Sequence, residues 1–105
     1  MHTETISQED GLLIRRAILE PGEATPWHRD ACRRFTVVVR GDALTIEYQD
    51  GERSSVDVQP GMADWEDPQP RLHRAVNTGN GTFEEVVTFF LERIDQDPQP
   101  QSDLT

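Results

Sequence analysis

Not one lysine occurs among the 105 residues; all ten basic side chains are arginine. Schiff-base chemistry on a lysine amine is thereby excluded. Cysteine is nearly as scarce: with Cys32 alone no intrachain disulfide can form, and the chain has no need of an oxidising compartment. No apolar run approaches the length of a membrane span. A glycine-rich phosphate loop followed by lysine is missing, and so is a Gly-x-Ser-x-Gly elbow. Ser54 and Ser55 follow a turn with no histidine close by in sequence. Residues 1–10 lack the basic-then-apolar profile of a signal peptide, so a cytoplasmic location is expected.

Basic charge is also outweighed. Twenty acidic side chains against ten basic ones leave a formal net charge of −10. A surface of that sign repels phosphate backbones and anionic lipid, which argues against nucleic acid and membranes as partners and for simple solubility.

What is present is a series of short apolar segments cut by breakers: Pro21-Gly22, Gly41-Asp42, Asp50-Gly51, Pro60-Gly61, the run from Pro68 to Pro70, and the run from Asn77 to Gly81. The intervals are too short for ordinary helices and long enough for strands, so the chain reads as all-β. Residues 12–19 form a plausible first strand, and 35–39 is a β-branched run suited to a central one. Residues 44–48 alternate, Asp50-Gly51 supplies a hairpin turn, and the alternation resumes at Val56 and Val58. Residues 83–91 read as a long closing strand, with Val87, Phe89 and Leu91 on one face and Glu84, Val86, Thr88 and Phe90 on the other. The neighbouring carboxylates Glu84 and Glu85 therefore point to opposite faces, a solvated edge rather than an acid–base couple. This organisation predicts a flexible N-terminal segment at 1–10, one folded domain at 11–94 and a disordered, proline-broken tail at 95–105.

Two histidines stand inside the folded part. His28 is preceded by Gly22 and followed by Asp30, Arg34 and Gly41; His73 follows Pro68 and Pro70 and precedes Asn77. The first set resembles the first cupin motif: Gly, five residues, His-x-His, three or four residues, Glu, six residues, Gly. Asp30 stands in the second histidine slot and Arg34 in the glutamate slot. The second set resembles the second motif, with Pro, His and Asn in register, Pro70 replacing a glycine, and Gly61 one residue further upstream than the pattern asks. Together the motifs cover residues 22–77. The chain as a whole is loosely similar to short cupins associated with β-alanine degradation.

The resemblance implies an antiparallel cupin β-barrel, or jelly roll, with the motif side chains aimed into its open end. Side chains two apart on a strand share a face, so His28 and Asp30 point together. His28, Asp30 and His73 would form a two-histidine, one-carboxylate set suited to a divalent transition metal: Fe, Zn, Mn or Ni. Arg34 opposes this, because a guanidinium is a permanent cation in a ligand slot. It either pairs with Asp30 and closes the former metal site, or forks onto a substrate carboxylate. Trp27 and Trp65 either line the pocket mouth and bind substrate or fill the core. Cys32 either shares the face of His28 and Asp30 or is a small buried hydrophobe. Asn77 is expected to tie a turn to backbone.

Two functions from different classes follow. One is a metal-dependent barrel that holds a small, anionic metabolite and acts on it as an oxygenase or isomerase. The other is a metal-free binding or sensor module with an Asp30–Arg34 ion pair. The resemblance also suggests a homodimer formed by sheet packing or strand exchange.

Overall fold

A computed structural model of the chain describes residues 1–91. The end of the expected 11–94 domain and the tail expected at 95–105 lie outside the described residues. Within them are nine strands and no helix: β1 His2–Glu9, β2 Leu12–Leu19, β3 His28–Asp30, β4 Arg33–Arg40, β5 Ala43–Tyr48, β6 Arg53–Asp57, β7 Ala63–Glu66, β8 Gln69–Asn77 and β9 Phe83–Phe90. They form two antiparallel sheets, ordered β1-β2-β9-β4-β7 and β3-β8-β5-β6.

The flexible segment expected at 1–10 is instead β1, paired with β2 from His2 opposite Ile18 to Glu9 opposite Leu12, with a bulge between Thr5 and Ser7. Its polar, exposed side chains carry no apolar alternation. Backbone hydrogen bonds to β2 hold it there, and Asp10-Gly11 makes the tight turn, with Gly11 at φ 82°. That dipeptide is the same hairpin signal as Asp50-Gly51.

Side chains alternate across the sheets as the pleat requires. Leu13, Ala17 and Leu19 of β2, Phe83, Glu85, Val87 and Phe89 of β9, and Arg34, Thr36 and Val38 of β4 share the inward face. One apolar cluster, Leu19, Val38, Val58 and Phe83 with Leu44 against it, plugs one end of the barrel. Gly41 lies at this end with φ 142°, and a Cβ there would meet the Phe83 ring at 2.8 Å, so glycine is required twice over. A second cluster, Leu13, Val87 and Phe89 with Leu91, lines the wall toward the other end. Between them lies a cavity of about 500 Å³.

The Glu84–Glu85 pair is not a solvated edge. β9 lies in the middle of its sheet, so neither residue stands at an edge; Glu84 is buried and Glu85 half-buried. Glu84 is buried on the outer face, where Arg16 donates to it at 2.6 Å and Arg40 at 2.8 Å from the flanking strands. Glu85 faces the cavity.

Candidate metal centre

β3 is only three residues long, yet it sets His28 directly opposite His73 of β8, and the two rings lie 4.5 Å apart. Pro26 lies just before this strand and the Pro68–Pro70 run lies around the start of β8, fixing backbone on both sides of the pair. Each histidine places Nδ1 2.7 Å from a backbone carbonyl oxygen, of Pro26 for His28 and of Arg71 for His73. A carbonyl only accepts, so each Nδ1 carries a proton and each Nε2 is turned toward the other groups of the site. Asp30 receives both: its Oδ1 is 3.4 Å from His28 Nε2 and its Oδ2 is 2.9 Å from His73 Nε2.

Burial opposes ionisation of Asp30. Hydrogen bonds from His28 and His73, with the Arg34 charge, outweigh it and hold the carboxyl well below the usual carboxylate range. The hydrogen bond to Asp30 in turn raises the His73 pKa above its ordinary value, against the effect of burial.

Arg34 reaches Asp30 at 3.0 Å and Glu66 at 3.1 Å. The expected Asp30–Arg34 ion pair is therefore present, but Glu66 shares the guanidinium. Sequence reading passed over Glu66, which sits opposite Arg34 on the short strand β7. Glu66 thus sets a second carboxylate against the Arg34 guanidinium.

The donor set fits a divalent ion. Ligand atoms about 2.1 Å from one ion stand roughly 3–3.5 Å apart. The two histidine–aspartate separations, 3.4 Å to Oδ1 and 2.9 Å to Oδ2, are near that size, and one ligand atom from each residue can be taken with all three within 4.8 Å of one another. The Nδ1–carbonyl bonds are the outer-shell support that orients metal-binding imidazoles.

The other expected site residues fall elsewhere. Neither tryptophan is among the cavity's lining residues. Trp27 is 43% exposed, with the Arg74 guanidinium over its ring, and Trp65 is 50% exposed on the outer face against Phe35 and Phe90. The pleat explains both: Trp27 adjoins inward-facing His28, and Trp65 adjoins inward-facing Glu66. Cys32 is buried at the break between β3 and β4, outside the cavity lining. Asn77 does tie a turn: it donates to the Leu19 and Gly81 carbonyls and accepts from Gly79 N–H, each at 2.9 Å.

No family model matches the sequence, and no curated protein matches it. Solved structures do. A cupin domain from Bordetella pertussis Tohama I superposes with a TM-score of 0.77 at 18% identity, covering 87% of this chain and 93% of that one. An RmlC-like cupin with a double-stranded β-helix fold from Methanocaldococcus jannaschii gives 0.69 at 18% identity, over 95% and 82%. An oxalate oxidase in complex with the substrate analogue glycolate gives 0.58 at 22% identity, over 76% of this chain and 42% of that one. Two antiparallel sheets, with no helix among the described residues, agree with these neighbours: the chain has the cupin fold, a double-stranded β-helix.

Proposed function

We propose that this protein binds a divalent transition metal through His28, Asp30 and His73 and receives a small oxygen-bearing metabolite in the barrel beside it. The observation that carries this reading is the shared orientation of the two imidazoles: both Nδ1 atoms are tied to backbone, and both Nε2 atoms converge on one carboxylate. A two-histidine, one-carboxylate set leaves coordination positions open. When bound, the ion supplies a Lewis acid that polarises a ligand oxygen or, as iron, a site for dioxygen. The chain's own groups do the rest. Asp30 and the histidines supply the donor atoms, Arg34 and Glu66 set the local potential, and Leu44, Ile46, Phe83 and Phe89 give the inner walls apolar surface. That an oxalate oxidase of similar fold accepts glycolate is consistent with a small acid as the ligand class.

A second reading is favoured by one contact. The 3.0 Å Arg34–Asp30 pair is the arrangement expected of a metal-free binding or sensor module. Metal analysis of protein purified without a histidine tag, followed by zinc or cobalt titration, separates the two. The metal reading expects close to one equivalent, abolished by His73→Ala. Less than about a tenth of an equivalent, with no uptake on titration, would leave the ion-pair reading in its place.

A further inference from the structure

Each acid around the metal-site end of the barrel is matched: Asp30 faces both histidines and Arg34, and Glu66 faces Arg34. Glu85 is different. It lies four residues from Phe89 along β9, on the same inward face, with Ala17 of β2 and Val38 of β4 as its cross-strand neighbours. Neither neighbour has a polar side chain. Among the described residues no hydrogen bond or ion pair reaches the Glu85 carboxyl.

The carboxyl also occupies a junction. Beside the main cavity is a smaller, largely apolar one of about 160 Å³, and the two share Thr36, Leu44, Ile46, Glu66, Phe83 and Glu85 as walls. The charged and titratable groups that line these walls with Glu85 are Glu66 and Asp64 from β7, Asp67 just after it, Arg34 from β4, Asp30 and His28 from β3, His73 from β8, Tyr48 from β5 and the N-terminal amine of Met1. β2 contributes only Ala17 and Leu19. Burial, then the charge of Glu66, pushes Glu85 up to about 7, while Arg34 pulls weakly the other way. Below neutral pH the carboxyl therefore mostly holds a proton, which makes it a donor.

An unpartnered, half-buried donor on a cavity wall contributes nothing to folding and costs free energy. A ligand that supplies an acceptor removes that cost. The acceptor has to be uncharged, because the Glu66 and Asp30 charges that disfavour an anion on Glu85 disfavour one beside it equally. We propose that Glu85 donates a hydrogen bond to a ketone or hydroxyl oxygen at the inner end of a small oxo or hydroxy acid, whose carboxylate meets the His28–Asp30–His73 site. This assignment rests on the metal reading, which anchors the acid end, and on Glu85 for the inner end.

Calorimetric titration of zinc-loaded protein at pH 6 tests it, with 4-oxopentanoate, 5-oxohexanoate and 6-oxoheptanoate set against pentanoate, hexanoate and heptanoate. The best oxo acid is expected to bind roughly fivefold tighter than the plain acid of equal length, the value of one neutral hydrogen bond. At pH 8.5 the preference disappears as Glu85 ionises. Glu85→Gln, a donor at every pH, keeps it at both pH values, and Glu85→Leu lacks it at both. The proposal is overturned if no oxo acid exceeds its plain counterpart, or if the Gln variant follows the wild-type pH dependence. Zinc content, measured first, separates the two readings. A loaded protein without the preference sinks the role of Glu85 alone, whereas a protein that takes up no zinc removes the anchor for the acid end and sinks both.

Discussion

Asn77 is 1% exposed, and its three side-chain hydrogen bonds all go to backbone, joining the end of β2 to the loop before β9. Asn77→Ala leaves two carbonyls and one N–H without partners. A loss of about 2–4 kcal/mol is expected, read as a Tm lower by roughly 10–20 °C in a thermal melt. The same accounting of donors and acceptors governs the metal centre. In metal-free protein the His73 proton is held by Asp30, and an incoming ion has to displace it. Zinc affinity is therefore expected to fall as pH is lowered through the raised His73 pKa, by up to about tenfold per pH unit. Titrations between pH 6 and pH 8.5 check this, and an affinity flat across that range would contradict it. That His28, Asp30 and His73 would come together was legible in sequence through their spacing, which resembles the cupin motifs. Glu66 left none, since its value comes only from lying across a strand pair from Arg34.

β9 carries two adjacent glutamates with opposite fates. The parity of the strand was readable: Val87 and Phe89 share one face, and Glu85 belongs with them. What parity could not say is that β9 would sit between β2 and β4, so that neither face is an edge. Glu84 found two arginines on the flanking strands and Glu85 found none. The sign of the resulting pH effect follows from the raised pKa. Between the unfolded value of 4.5 and the folded value of about 7, the folded chain holds a proton that the unfolded chain has released. Stability thus falls as pH rises through that window and stays lowered above it. Glu85→Gln removes the penalty. The variant is expected to match wild type near pH 4 and to exceed it at pH 8 by up to about 3 kcal/mol, in urea unfolding followed by circular dichroism. β1 teaches a related lesson: its residues have no alternation to read, yet Asp10-Gly11 already marked the turn that folds them back onto β2.

At the scale of the molecule, the outward face of the five-stranded sheet carries a run of apolar side chains beside the Arg16–Glu84–Arg40 cluster. Ile14 and Ile18 of β2, Phe35 and Val37 of β4 and Val86 of β9 alternate with the inward residues, and Trp65 and Phe90 stand well exposed. The Phe35, Trp65 and Phe90 rings lie 5.0 and 5.2 Å apart in sequence, with the Arg33 guanidinium 4.1 Å from the Trp65 ring. Large exposed apolar patches mark association surfaces. Sheet packing through this face predicts a particle of twice the 12.0 kDa chain mass in light scattering, and Trp65→Glu should return it to one chain. A wild-type particle of single-chain mass would refute this. Breakers and alternation by themselves determined an all-β chain and its main strands, because these depend on φ preferences and on the two-residue repeat of a strand; the histidine spacing was legible through its resemblance to the cupin motifs. Only the tertiary structure decided which faces close on the cavity. It brought Glu66 to Arg34, turned both tryptophans away from the pocket, and left Glu85 inside without a partner, because each of these outcomes depends on which strands become neighbours.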